Sequence, residues 1–529
     1  MELKAPSSLH FNWTESKILY YGLLLFWLIV NLIQSSLTEL IHDEAYYYYY
    51  STDLSWGYFD HPPMIALFIK LGTLLSTDEW GVRLMICLSS VITMALVIEL
   101  AKVRNYLLFF ALWFSVLIIH VGGFIAVPDV PLIFFSILFF ILYRNFLEKS
   151  SWQNILFLAL SIAALFYSKY TGVLVVFFTV LSNIKLLKQK AFWIIALMVS
   201  VLMIPHLIWQ IQHDFDTLHY HLVERNAGFY FTWQNVYEYP LGQIGILNPL
   251  IAFILIYFGI VFKPKNDLDR ALKFNAFGVL IVGLIMSFRS HVEANWTSTA
   301  FIPLLIIAYQ EIRTKRKIVK TLYILGALSA ILIIPLRSLM IVNFLPEAYK
   351  HHFRVEFHDW DIWAKELHNR AGDSPAVFIN SYQRASKFYY YADTNTYTYS
   401  TLKYRMNEFD IRGVERQLLN DEVVIFHNDK SFGLIKEILL PIPNLDSLTL
   451  NSGEKIYYTI VEKYRTYNFL RIDFEIPDLE SGSEVELPIQ ILNPTGKPLT
   501  LESDSMGVKI ATVFYQKGEV VLYNEVKDI

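Results

Sequence analysis

Residues 42–63, HDEAYYYYYSTDLSWGYFDHPP, lie between two long apolar runs near 19–36 and 82–100, and their reading decides what kind of chain this is. The stretch is too polar to cross a bilayer. Its consecutive tyrosines and its tryptophan nevertheless suit a membrane boundary, where rings sit among headgroups and hydroxyls stay wet. It reads as a surface helix within a large first loop, residues 37–81. Asp43 falls in the first turn of that helix, where the positive end of the helix dipole favours an ionised carboxylate.

Working outward, apolar windows approaching the roughly 20 residues that cross a bilayer fall near 19–36, 82–100, 106–122, 131–147, 153–167, 171–184, 191–210, 242–262, 272–288, 297–310 and 321–341. The composition agrees: 54% hydrophobic and only 17% charged, against about 25% charged in soluble domains. The expected fold is therefore an α-helical multi-pass membrane protein with about eleven transmembrane helices. The first run is long for a signal sequence and lacks a small-residue cleavage site, so it is read as a retained span. A net charge of −4 gives no basic surface and argues against nucleic acid as a partner. The single cysteine, Cys87, excludes an internal disulfide framework and a cysteine-ligated zinc site.

Alternate loops carry the lysines and arginines. AKVRN, YRNFLEKS, KLLKQK, KPKNDLDRALK and EIRTKRKIVK hold two, two, three, four and five of them. By the positive-inside rule these loops are cytoplasmic, as is the amino terminus, and everything after about residue 343 lies outside. The intervening loops, which hold the opening stretch, AVPDVPL, SKYTG, residues 210–240 and FRSHVEANW, then share the outer face.

Past residue 343 hydropathy falls. DSPAVFIN and DEVVIFHN read as buried strands and DWDIWAKELHNRAG as an amphipathic helix ended by Gly372, so residues 344–465 are expected to form a mixed α/β region. From 466 to 529 alternating runs between turn residues predict a small β-rich domain. Residues 1–343 are the expected membrane domain.

A group transfer from a lipid phosphate to a hydroxyl needs one carboxylate to accept a proton and cationic donors for the leaving phosphate. Asp43 suits the first role; His61, Arg83, Lys169 and His291 are candidates for the second. Glu44, Asp60, Tyr170 and Glu293 are further candidates to contact substrate. Asp129, just before the fourth span, is placed to hold sugar or acceptor hydroxyls. Each has a plain structural reading as well: Asp43 and Asp129 as helix caps, Lys169 snorkelling from a span end, Arg83 anchoring its span and His291 as a solvated loop residue. Their shared sidedness favours the joint reading.

In order along the chain, HDEAYY, WGYFDHPPM, WGVRL, VPDVPL and SKYTGVL, with fainter echoes in HVEANWTS and SYQRASKFYYY, resemble the polyprenyl-phosphate-sugar-dependent GT-C glycosyltransferases. The group in question contains the protein O-mannosyltransferases and the bacterial lipid A aminoarabinose transferase. The resemblance covers roughly residues 15–310. It implies that Asp43 is the catalytic base or positions the acceptor, and that Asp129 is a site aspartate. Asp60 and His61 take the place of a Glu-Lys pair whose lysine lies near the donor phosphate, so a histidine stands here where that relative has a lysine. Neutral imidazole donates one hydrogen bond; protonated imidazole donates two and adds charge.

The resemblance further implies an outward cavity, a polyprenyl-phosphate sugar donor, undecaprenyl if the source is bacterial, and inversion at the anomeric carbon by direct displacement. The acceptor stays open among lipid, polysaccharide and protein. No cofactor or catalytic metal is expected, although the carboxylate-rich outer loops would suit a divalent ion. The expected location is the bacterial inner membrane, with the active site outside. The competing reading, a lipid or sugar transporter or flippase, would place ionisable residues mid-membrane and show related halves. Here they sit mostly at span ends, His206 excepted.

Overall fold

The computed structural model describes residues 16–222, 231–346, 356–400, 404–428 and 445–464, together with the backbone of four strands after residue 470. Chain contacts divide it into two units, Met1–Trp360 and Asp361–Ile529.

The first unit is helical. In order it contains α1 (Lys17–Leu37), α2 (His42–Thr52), α3 (Met64–Thr73), α4 (Glu79–Leu100), α5 (Tyr106–Ser115), α6 (Leu117–Val121), α7 (Asp129–Glu148), α8 (Trp152–Ser168) and α9 (Gly172–Ser182). There follow α10 (Lys190–Leu202), α11 (Ile204–Gln212), α12 (Asp216–Leu222), α13 (Trp233–Leu247), α14 (Pro249–Val261), α15 (Asp267–Ser287), α16 (Phe301–Ile312) and α17 (Arg316–Ile341). Each of the eleven apolar windows is predominantly helical. Five helices (α1, α4, α7, α15 and α17) are long and apolar enough to span a membrane, or up to seven spans if α10–α11 and α13–α14 each count as one. α2 and α3 occupy the first loop, as its composition predicts.

Two windows are not straight rods. The run 106–122 breaks at Val116, and the run 242–262 contains a 101° bend between α13 and α14. Asn248 makes that bend with φ at 80°, a left-handed conformation that asparagine tolerates better than most residues. Its buried amide donates to the Ser115 carbonyl at the α5–α6 break (2.9 Å) and to Ser329 (2.8 Å). One side chain thus satisfies the polar groups exposed by the irregularity, as an apolar surrounding demands.

The chain reverses regularly, so the helix ends sort into two groups. At one end the basic loops meet: Arg144 pairs with Glu99 at 2.8 Å, and Arg313 donates to the Lys102 carbonyl at 3.3 Å. At the other end lie the termini at Leu37, Glu79, Asp129 and Ser168, where the polar motifs collect. The first unit runs past the expected residue 343 because Glu39 accepts hydrogen bonds from the Asp359 and Trp360 amides at 3.0 and 2.7 Å.

The second unit carries a five-stranded sheet in the order β2-β1-β3-β5-β4, with β1 (Ala376–Ile379), β2 (Thr396–Tyr399), β3 (Val423–His427), β4 (Asp446–Thr449) and β5 (Lys455–Val461). β1 runs parallel to β2 and β3; β5 is antiparallel to β3 and β4. Helix Tyr382–Ala392 links β1 to β2 and buries Phe388 near Phe378 and Phe426. Farther on, β6 (Arg471–Phe474) pairs with β7 (Ile489–Leu492) and β8 (Ala511–Gln516) with β9 (Glu519–Glu525), both antiparallel. The C-terminal region thus contains sheet, as expected, and Asp361–Ile529 forms one unit.

Candidate active site

The site grows from α2. Its third residue, Glu44, reaches back to the Ile41 amide at 3.0 Å, half of a capping box. The same carboxylate accepts two bonds from Arg83, at 2.7 and 2.6 Å, and one from the Ala126 amide at 2.7 Å. Arg83 spends its other donors on the carbonyls of Ser35, Thr38 and Glu39. Both side chains are fully buried. Glu44 and Arg83 are candidates for substrate contact with a structural reading beside it, and the geometry fits the structural one: all five guanidinium N–H groups are used internally, and the pair ties the end of α1, the start of α2 and the approach to α7 into one frame.

Asp43 is the neighbour this frame positions. Its side chain is exposed, and it stands one turn before Tyr47 on the same face of α2. The Tyr47 ring meets the His61 ring edge-on at 5.5 Å. Tyr50, one turn farther, donates to Asp60 and stacks on Tyr58 at 4.3 Å. The tyrosine run is therefore a wall that packs α2, the helix bearing Asp43, against the loop of Asp60 and His61.

The loop bearing those two residues is held by α11 and α12 through alternate carbonyls. His206 Nδ1 lies 2.7 Å from the Trp56 carbonyl, Thr217 donates to Tyr58 at 3.2 Å, and His221 Nε2 lies 3.0 Å from the Asp60 carbonyl. Gly57 permits the approach, because a Cβ there would stand 2.3 Å from the Trp209 ring. None of these α11–α12 contacts was expected from sequence. His206 alone had stood out, as an ionisable residue within an apolar run.

Asp129 is the first residue of α7, yet its carboxylate does not cap that helix. Lys169, at the end of α8, binds both its oxygens at 3.0 and 2.9 Å. Asn295 and Ser298 donate to it at 3.2 and 2.8 Å. These two, like Thr217, Gln210 and His221, are not among the candidates the sequence singles out; short polar residues near a span end give no distinguishing pattern.

His61 senses this pair electrostatically. Burial, the largest influence, with help from the charges of Lys169 and His221, lowers its pKa to about 4 against the opposing pull of Asp60 and Asp129. Its ring is thus neutral near pH 7. The buried Nδ1 of His61 has no hydrogen-bond partner among the described residues. Tyr170, next to Lys169, receives a bond from Gln210 at 3.1 Å and packs 5.8 Å from His221.

Asp60, His61, Asp129, Lys169 and Tyr170 therefore come together. His291 and Glu293 sit half exposed in a separate surface group, 3.4 Å apart, with Glu238 3.6 Å from His291. Beside Asp129 lies a small, mostly apolar cavity of about 30 Å³, lined by Trp113, Val130, Phe301 and the same Ser298 that binds Asp129.

Comparison with known proteins bears on this geometry. The family model for dolichyl-phosphate-mannose-protein mannosyltransferase matches residues 60–209, from Asp60 through the end of the Lys169 region to α11. The lipid A galacturonosyltransferase RgtD of Rhizobium johnstonii is 24% identical over 299 residues, covering 53% of this chain. The match spans 62% of that relative's own length. Among solved structures, ArnT from Cupriavidus metallidurans aligns in its apo state with a TM-score of 0.58 at 11% identity, over 83% of this chain and 97% of ArnT. Bound to undecaprenyl phosphate, it aligns with a TM-score of 0.60 at 10% identity, over 84% and 98%. The chain has the ArnT fold, and the family model and the curated relative add a sequence likeness to the polyprenyl-phosphate-sugar-dependent GT-C glycosyltransferases over part of the chain.

Proposed function

We propose that this chain is an integral-membrane, inverting glycosyltransferase that moves a sugar from a polyprenyl-phosphate carrier to an acceptor hydroxyl on the extracytoplasmic face. The observation that carries the reading is the meeting, at the bundle end opposite the basic loops, of a Lys169–Asp129 pair with an unsatisfied His61 nitrogen, on the loop that follows the helix bearing the exposed Asp43. Asp43 takes the proton of the acceptor hydroxyl as its oxygen bonds to the anomeric carbon. The bond from that carbon to the phosphate oxygen breaks, and polyprenyl phosphate leaves with the electron pair. Lys169 and the His61 N–H receive the charge that develops on the phosphate. Asp129 holds Lys169 in place. A glycolipid is the acceptor this reading favours, since the curated relative acts on lipid A.

The test is transfer by the purified protein in lipid nanodiscs from undecaprenyl-phosphate-linked galacturonic acid, mannose or aminoarabinose to a lipid A acceptor. Asp43→Asn should lower the rate by about 10²- to 10⁴-fold with folding unchanged. Full transfer by that variant, or lipid flipping without glycoside formation by the wild type, would overturn the proposal.

A further inference from the structure

Around the turn Lys169–Thr171 three buried polar atoms lack partners among the described residues: His61 Nδ1, Thr171 Oγ1 and Gln210 Oε1. Gln210, on α11, is only 3% exposed. Its amide nitrogen lies 3.1 Å from the Tyr170 hydroxyl and 3.4 Å from His206. Reversing the amide would move the deficit to the nitrogen without removing it. Thr171 occupies the N-cap position of α9 yet makes no capping bond. Native interiors seldom leave such groups without partners, and a cluster of them calls for an explanation.

We propose that Gln210 and Thr171 read the sugar of the lipid-linked donor, an inference that rests on the glycosyltransferase assignment. Their chemistry divides this cluster. Lys169 is a cation suited to phosphate, whereas an amide and a hydroxyl are neutral and match sugar hydroxyls, which both donate and accept. The sugar is bonded directly to the phosphate, so groups adjoining Lys169 but uncharged stand where its ring must lie. A pocket that hydrogen-bonds a substrate hydroxyl also rejects analogues that cannot make the bond, so these two residues set which sugar is accepted.

The experiment compares affinities of the full-length protein in nanodiscs for undecaprenyl phosphate and for the same carrier bearing galacturonic acid, mannose or aminoarabinose. Wild type should bind one sugar-bearing form at least about tenfold more tightly than the bare phosphate. Gln210→Leu and Thr171→Val should each erase most of that gain and leave bare-phosphate affinity within about twofold. Equal binding of all forms by the wild type would overturn the inference. So would variants that keep the preference, or that lose bare phosphate and sugar-bearing donor alike with a lowered melting temperature. Lys169→Met separates the two levels of argument, because it should weaken every form. If it changes none, or bare undecaprenyl phosphate does not bind, the donor assignment itself fails.

Discussion

Two ion pairs lie at the same end of the bundle and do different work. Glu44–Arg83 is fully buried, and every guanidinium N–H already has an acceptor inside the protein. Lys169–Asp129 keeps 12% and 10% of its side-chain surface, and Asp129 is the one acceptor the hydrogen bonds of Lys169 reach among the described residues. A closed pair can only hold structure. A pair with spare valence and a route to solvent can exchange a partner for a ligand, and that separates the frame of this site from its working part.

Breaking the closed pair should have the largest effect. Arg83→Met leaves a buried carboxylate without its counter-ion, a loss of about 3–5 kcal/mol. Thermal unfolding in detergent should show it as a fall in melting temperature. The double variant Glu44→Leu, Arg83→Met should recover part of the loss, since no charge is then stranded; a double variant as unstable as the single one would mean that the backbone bonds of Arg83 dominate. Lys169→Met should behave in the opposite manner. Its stability loss should be smaller, about 1–3 kcal/mol, because Asn295 and Ser298 still hydrogen-bond the Asp129 carboxylate left behind, while transfer falls about 10²- to 10³-fold. Equal sensitivity of stability and activity in both variants would dissolve the distinction.

The sequence could not have drawn that distinction. Hydropathy windows located the helical segments, and the polar, tyrosine-rich stretch was legible as a surface helix, because both signals depend on local composition. The shared face of Asp60, His61, Asp129 and Lys169 was legible through the alternation of basic and non-basic loops. Whether Arg83 meets substrate or backbone carbonyls depends on which chain ends pack beside it, and an arginine reads the same in either case. The hold of α11–α12 on the loop was hidden for a related reason: His206, Thr217 and His221 contact backbone carbonyls, which leave no side-chain signature on the partner strand. The bend at Asn248 interrupts an apolar run without changing its hydropathy.

A smaller effect should appear on acidification. His61 in the folded protein has a pKa near 4, below the roughly 6.5 of an unperturbed histidine. Between those values the unfolded chain binds a proton that the native protein does not, so stability falls as pH drops through that window. The loss reaches at most about 3 kcal/mol near pH 4, and above about pH 6.5 this residue contributes no slope. His61→Asn should flatten that part of the stability profile, measured as melting temperature against pH. An anionic phosphate beside the ring would favour its charged form, so saturating undecaprenyl phosphate should move the transition upward in pH.

The least effect is expected at the surface group. His291 and Glu293 retain 56% and 58% of their side-chain exposure, and their 3.4 Å separation is long for a charge-assisted hydrogen bond. Water and salt screen such contacts, so His291→Ala should alter stability by less than about 0.5 kcal/mol and transfer by less than about twofold. Ser298 belongs to the same connecting segment but donates to Asp129 from a fully buried position. Ser298→Ala removes one of the bonds that fix the Asp129 carboxylate, and its transfer rate should fall about three- to tenfold. A His291 variant as impaired as the Ser298 variant would show that the exposed histidine reaches substrate during the reaction, and would extend the open, working part of the site to the protein's outer surface.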